Sequence, residues 1–92
     1  MKVRFLRQAH RFIRRSKGKL RIKIQEEIDK IIFDPFSIGE KLVKSLKGLK
    51  SHHFTCDGVH YRVVFMIKGD LIIIAIASRE NFYRDLEKNR IL

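Results

Sequence analysis

Residues 59–78 read VHYRVVFMIKGDLIIIAIAS, and this stretch decides what kind of fold the chain can form. Two runs rich in β-branched and aromatic residues, 59–67 and 71–78, have the composition of β-strands. Lys68-Gly69-Asp70 separates them and is typical of a hairpin turn. The sequence therefore predicts a β-hairpin formed by these two strands.

The rest of the chain adds helices and shorter strands to this hairpin. Asp34-Pro35 ends the clearest helical period, because proline disfavours helical geometry in the residue before it. The other predicted elements are strands at 2–6 and 51–55, helices at 8–17, 19–33 and 80–89, and one helical turn at 39–43. We predict one α+β domain over residues 1–92, in the order β-α-α-β-β-β-α, with a mainly antiparallel four-stranded sheet packed on a helical hairpin.

Charge is the strongest global signal in the composition. The 92 residues carry a formal net charge of +11, and residues 1–25 hold ten Lys or Arg and no Asp or Glu. A basic field of this density indicates a polyanionic partner, of which nucleic acid is the usual kind.

Other features limit the class of protein. The single cysteine excludes an internal disulfide, and the longest apolar run, 71–77, is far shorter than the roughly 20 residues of a membrane span. The first fifteen residues carry charge throughout and have no apolar core of a secretion signal. We therefore expect a cytoplasmic protein without a membrane partner.

Strand alternation sorts the side chains of the sheet onto two faces. The positions predicted to face the core are His52, Phe54, Tyr61, Val63, Phe65, Ile67, Ile72, Ile74 and Ile76. The opposite face then gathers cationic and titratable side chains, which are His53, His60, Arg62 and Arg79. Histidine accepts or donates protons near neutral pH, so this face has the groups for proton transfer beside fixed positive charge.

A zinc site is the competing explanation for the histidines. Three of the chain's four lie at 52, 53 and 60, but His52 and His53 are expected on opposite faces and no zinc-ligand spacing is met. No metal and no cofactor is therefore predicted. Cys56 lies in a turn without an activating neighbour and is expected to be inert.

Three motifs resemble the RelE/ParE superfamily of bacterial type II toxins. They are LKG at 46–48, YRVVF at 61–65 and SRENFY at 78–83. Members of the superfamily similarly have an LKG connector, a YR pair before alternating apolar residues, and an arginine followed four residues later by tyrosine. The predicted order of elements also looks like that fold, so the resemblance covers nearly the whole chain.

The resemblance implies a function. The RelE-like branch cleaves mRNA, usually at the ribosome and without a metal, and leaves a 2′,3′-cyclic phosphate and a 5′-hydroxyl. By the same resemblance Arg62 would hold the phosphate, Arg79 would stabilise the leaving side, and Tyr83 would orient or stack on a nucleotide. The chain is thus expected to be an endoribonuclease, an mRNA interferase that inhibits translation.

One departure from the superfamily bears on the general base. RelE-like sequences often carry lysines on the first meander strand, where this chain has Ser51 and His53. Histidine is a credible substitute, so we predict His53 as the base, with His60 as the alternative. Lys50 is expected to help electrostatically.

The resemblance and the charge together predict the partners, which are a cognate acidic antitoxin, mRNA, ribosomal RNA and, through the toxin–antitoxin complex, operator DNA. The residues predicted to bind nucleic acid are Arg4, Arg7, Arg11, Arg14, Arg15, Lys19, Arg21, Lys47 and Lys50. Two alternatives stay open. ParE-like members poison DNA gyrase without nuclease activity, and a degenerate toxin would bind only its antitoxin and operator DNA.

Overall fold

The computed structural model describes residues 2–41 and 48–81, and apart from one short extra strand their helices and strands follow the predicted order. The elements are β1 (Val3–Phe5), α1 (Arg7–Arg15), α2 (Gly18–Phe33), β2 (Glu40–Lys41), β3 (Lys50–Cys56), β4 (Val59–Lys68) and β5 (Asp70–Ser78). The predicted α+β architecture, with two helices packed on a mainly antiparallel sheet, is confirmed.

The strands form one mixed sheet in the order β1-β5-β4-β3-β2. β1 lies parallel to β5, and the other pairs are antiparallel. β2 is a two-residue edge strand that the sequence did not predict, so the helical turn expected at 39–43 is wrong at 39–41. Gly39 explains why: its φ of 85° is not helical, and a Cβ there would lie 3.1 Å from the Ser51 carbonyl oxygen.

The helices cover one face of the sheet through a stripe of isoleucines. Ile24, Ile28 and Ile31 of α2 are buried at three- and four-residue steps, as the helical period predicted. Ile32, the next position along α2, is 43% exposed. From the sheet, this core takes buried side chains of β3, β4 and β5, namely Phe54, Val63, Phe65, Leu71, Ile73 and Ile76.

The predicted faces are correct on β3 and β4 and partly wrong on β5. Val64 pairs with Ala75 but Phe65 pairs with Ile73, so Ile74 is an extra residue at a β-bulge. Before the bulge the alternation is therefore reversed. Ile73 packs toward the helices, whereas Ile72 and Ile74 join the cluster on the other face. Ile76, which follows the bulge, faces the helices as predicted.

The chain leaves β5 through a turn. Asn81 donates its backbone N–H to the Ser78 carbonyl oxygen at 3.0 Å, and Glu80 and Asn81 do not begin the predicted helix. Residues 82–89 of that helix lie outside the described residues. Within the described part of the chain, no helix has the length and apolar character needed to span a membrane.

Candidate functional site

The register of the sheet places His53 and Arg62 directly opposite each other. His53 of β3 pairs with Arg62 of β4, and Arg62 pairs in turn with Ala77 of β5. Directly opposite residues of an antiparallel pair project to the same face, so these three side chains form one row across the sheet. Because Ala77 has only a methyl group, the Arg62 guanidinium has room beside β5.

A second row lies one step closer to the end of the sheet. Thr55 pairs with His60, and the backbone N–H of Arg79 donates to the His60 carbonyl oxygen at 2.7 Å. By the period of two, His60 and Arg79 point to the face of Arg62. The bulge at Ile74 precedes Ala77 and Arg79 along the chain, which is why it does not disturb their predicted orientation.

The two rows surround a shallow depression of about 240 Å³. Its lining residues are His53, His60, Tyr61, Arg62 and Arg79. A second depression of about 550 Å³ adjoins the first, because both share His60 and Arg79. Four of the five predicted catalytic residues thus surround one space. Tyr83, the fifth, lies outside the described residues.

His52 belongs to the opposite face, as its predicted orientation requires. Its Nε2 lies 2.9 Å from Oε1 of Glu27 on α2, and only 14% of the His52 side chain is exposed. The two adjacent histidines therefore lie on opposite faces of the sheet: His53 lines the depression, and His52 joins β3 to α2. A zinc site that used both is geometrically impossible.

Glu27 is the residue of this region that sequence reasoning missed. Its side chain is 4% exposed, and Oε2 lies 2.7 Å from the Lys30 ammonium and 3.5 Å from that of Lys23. Burial alone would raise the pKa of Glu27, but hydrogen bonds from Lys30 and His52 and the charges of both lysines hold the pKa below its usual value. The signal was present, because position 27 shares the buried helical stripe with Ile24 and Ile31.

Tyr61 stands at the boundary between the depression and the core. Its ring stacks on Phe54 at 5.2 Å between centroids and meets Phe12 edge-on at 6.2 Å. Burial, with smaller contributions from nearby Cys56 and Asp57, raises the pKa of the Tyr61 phenol. The phenol therefore stays protonated at neutral pH, and the ring is held by the aromatic side chains on the helix side of the sheet.

Lys50 was predicted to assist at the site, but it points elsewhere. Its ammonium donates to the carbonyl oxygens of Pro35 and Phe36 at 3.1 and 2.8 Å and lies 5.6 Å from the centre of the Phe65 ring. Lys50 thus ties the end of α2 to β3 on the helix side of the sheet. Lys47 lies outside the described residues.

The other predicted nucleic-acid-binding residues form an exposed basic surface on the N-terminal elements. They are Arg4 of β1, Arg7, Arg11, Arg14 and Arg15 of α1, and Lys19 and Arg21 of α2, and each is exposed. The helices pack on the face opposite His53 and Arg62. Within the ranges 2–41 and 48–81, cationic side chains therefore form two separate surfaces, one on the N-terminal elements and one in the depression.

A metal centre finds no set of ligands in the regions that the structure describes. Across residues 2–41 and 48–81, no three His, Cys, Asp or Glu side chains are grouped closely enough to hold a metal ion. The side chains that line the depression include imidazole and guanidinium groups, which move protons and stabilise negative charge.

Nearly the whole chain matches one known protein family. The family model of the ParE-like toxin of type II bacterial toxin–antitoxin systems matches residues 3–87. No curated protein sequence matches the chain.

Two solved structures from Escherichia coli are similar in fold. The intact RelBE toxin–antitoxin complex contains a chain with a TM-score of 0.66 and 15% identity, covering 82% of this chain and 92% of that one. The isolated RelE toxin has a TM-score of 0.65 and 16% identity, covering 98% and 97% of the two chains. At these sequence identities the similarity shows a shared fold and nothing more.

Proposed function

Because the chain belongs to the ParE-like toxins of bacterial type II toxin–antitoxin systems, we propose that it acts as a metal-independent endoribonuclease in the cytoplasm. Its substrate is mRNA, bound at the ribosome. Cleavage produces a 2′,3′-cyclic phosphate on one fragment and a 5′-hydroxyl on the other. The observation that carries this proposal is the row in which β3 and β4 place His53 opposite Arg62, beside Arg79 in one depression.

The first chemical step needs a base for the ribose 2′-hydroxyl. His53 is exposed, and its neighbour across the strand pair is Arg62, the cation that would hold the phosphate. In the proposed reaction, a neutral His53 imidazole accepts the 2′-hydroxyl proton while the 2′ oxygen attacks the adjacent phosphorus. The new bond is the 2′ O–P bond of the cyclic phosphate, and the bond that breaks is the P–O5′ bond.

Negative charge accumulates on the phosphate oxygens during this attack. Arg62 is half-buried in the row, and Arg79 lies at the exposed end of β5. Guanidinium groups donate two parallel hydrogen bonds to phosphate oxygens, which makes them suitable for holding the phosphate at a fixed angle. The leaving 5′ oxygen also needs a proton, and His60 in the next row is the second proton-exchanging group on this face.

The partners follow from family membership and charge. The structurally similar RelE chain is described in complex with an antitoxin, and we propose that a cognate acidic antitoxin likewise binds this toxin. The complex of the two would bind operator DNA. The basic surface on α1 and the start of α2 would bind ribosomal RNA, while the opposite face of the sheet presents the depression to mRNA.

Gyrase inhibition is the second candidate, because the matching family is named for ParE. ParE-like toxins act by binding and need no base opposite a phosphate-binding arginine. A pair of assays separates the two functions: cleavage of mRNA on translating ribosomes in the presence of a chelator, and inhibition of gyrase supercoiling. We expect cleavage with a cyclic phosphate end and no effect on gyrase. The reverse result would establish the second candidate.

Substitutions then test the roles of the residues. Arg62→Ala or Arg79→Ala is expected to lower the cleavage rate on the order of 10²-fold or more, and Arg→Lys is expected to restore only part of it. His53→Gln should remove most of the rate, together with the loss of rate that a protonated imidazole causes at acidic pH. His52→Gln is the matched control, since His52 is the adjacent histidine on the opposite face and should affect stability more than rate.

The histidine comparison has two informative alternatives. If His60→Gln rather than His53→Gln removes the acid-side fall in rate, His60 is the base. If all three histidine variants cleave at the unaltered rate with an unaltered pH profile, the imidazole mechanism is wrong. If Arg62→Ala and Arg79→Ala both cleave RNA at the wild-type rate, the proposed site is wrong.

A further inference from the structure

The larger depression beside the proposed cleavage site has the surfaces that a nucleobase requires. Its lining residues are Gly58, Val59, His60, Ser78, Arg79 and Glu80. Val59 is an aliphatic side chain that is 42% exposed. Gly58 lacks a side chain and has φ of 78° in the tight β3–β4 turn, and a Cβ there would meet nothing within 4 Å. The space is therefore open on one side and has an apolar surface on which a flat ring can pack.

Glu80 is the unexpected residue in this depression. It is exposed, and it is the only carboxylate among the described residues that line either depression. In a chain with a net charge of +11, a carboxylate beside a phosphate-binding site repels the RNA backbone. Non-specific RNA binding gains nothing from it. A carboxylate is useful there if it reads a base, because it accepts hydrogen bonds and rejects other acceptors.

The four bases differ in what they offer to such an acceptor. Guanine presents two adjacent N–H donors on its Watson–Crick edge, which match the two oxygens of a carboxylate. Adenine and cytosine present one amino group beside a ring nitrogen that is itself an acceptor, and uracil presents one N–H between two carbonyl oxygens. Single-stranded RNA is recognised through these edges once its bases are unstacked.

We propose that this depression is a base-recognition subsite, in which Glu80 selects guanine at one of the two nucleotides that flank the cleaved bond. The base packs against Val59, and its N–H donors point to the Glu80 carboxylate. His60 and Arg79 border both depressions, so the neighbouring phosphate reaches Arg62 while the base occupies the subsite. The inference rests on the proposed ribonuclease function and adds its sequence preference.

The test separates base recognition from cleavage. Short RNAs that carry a 2′-deoxy nucleotide at the cleaved position cannot be cut, so their dissociation constants report binding alone. Four such RNAs, identical except for one flanking base, are measured for each flanking position with wild-type protein and with Glu80→Gln. Wild type is expected to bind the guanine RNA about tenfold or more tightly than the others at one position, as for other bidentate base contacts. Glu80→Gln should abolish this preference.

Matched variants and cleavage maps complete the experiment. Glu26→Gln removes an exposed carboxylate on α2, away from the sheet face, and should keep the guanine preference. Mapped cleavage sites in translated mRNA should be enriched in guanine for wild type and not for Glu80→Gln. Equal binding of the four RNAs by wild type, or an unchanged preference in Glu80→Gln, would overturn the inference while the ribonuclease function stands. A guanine preference in binding without any cleavage would refute the ribonuclease function and keep the subsite.

Discussion

Replacing Glu27 with glutamine tests whether the buried ion cluster holds β3 on α2. The carboxylate lies 2.9 Å from His52 Nε2 and 2.7 Å from Lys30 Nζ, with Lys23 at 3.5 Å. Glutamine has nearly the same shape and keeps one carbonyl oxygen that can accept from His52. The substitution therefore removes the charge and leaves the packing.

The expected magnitude follows from these contacts. A hydrogen bond to a charged group contributes about 1.5–3 kcal/mol, and two of them weaken in the variant. Lys23 and Lys30 are 35% and 57% exposed, so they regain hydration when the carboxylate is gone, and the cost of burying a charge also disappears. We expect the free energy of unfolding at pH 7 to fall by about 1–2 kcal/mol. For a domain of this size, that lowers Tm by roughly 5–15 °C.

The effect should depend on pH in a defined direction. The pKa of Glu27 is below its usual value of 4.5 in the folded chain and returns to that value on unfolding. Its contribution to stability is complete above pH 4.5 and is lost as pH falls through the lower folded pKa, because the unfolded chain takes up the proton first. The difference in Tm between wild type and Glu27→Gln should therefore be constant near neutral pH and decrease below pH 4.5.

Thermal unfolding followed by circular dichroism at several pH values provides the measurement. Glu26→Gln is the control, because it changes the same kind of residue at the next, exposed position and should alter stability by less than about 0.5 kcal/mol. Equal Tm values for wild type and Glu27→Gln at neutral pH would refute the stabilising role. A difference that persists undiminished at low pH would show that shape, not charge, is the cause.

Three further predictions concern other parts of the molecule. Gly39→Ala should lower the free energy of unfolding, measured by chemical denaturation, by about 2–3 kcal/mol, because φ is 85° and the new Cβ would lie 3.1 Å from the Ser51 carbonyl oxygen and 3.2 Å from the Phe65 ring. Gly69→Ala is the control: it has the backbone strain without the close approach and should cost about 1 kcal/mol. Gln8→Ala should cost about 1–3 kcal/mol in the same assay, since its side-chain amide makes two hydrogen bonds of 2.8 Å to the backbone of Ile76; an unchanged midpoint would mean that water replaces them. Reversing the charges of three exposed arginines of α1, namely Arg7, Arg11 and Arg14, should make the slope of log binding constant against log salt concentration shallower for RNA. The expected change is roughly 0.7–0.9 for each phosphate that the variant no longer binds. An unchanged slope would show that this surface only keeps the protein in solution.

The faces of the sheet show where sequence reasoning succeeds. Alternation along β3 and β4 is uninterrupted through the site, so the orientations of His53, His60 and Arg62 follow from the period of two. The same reasoning was wrong for Ile72, Ile73 and Ile74 of β5, since Ile74 is the extra residue of a bulge and the faces before it are reversed. A bulge in a run of isoleucines leaves no mark in the sequence, because every position of the run is apolar.

Local pattern and pairing thus determined different things about this protein. The sequence by itself determined the order of the two N-terminal helices and of the longer strands, the basic charge of the N-terminal third, and which side chains share a face on β3 and β4, because these depend on neighbours along the chain. Only the tertiary structure decided that His53 lies opposite Arg62, that Arg79 joins His60 at the end of the sheet, and that Glu27 reaches His52 across 25 residues. These relations depend on register and on packing between elements that are distant in sequence. The sequence of one strand or helix alone does not determine which register or packing partner it adopts.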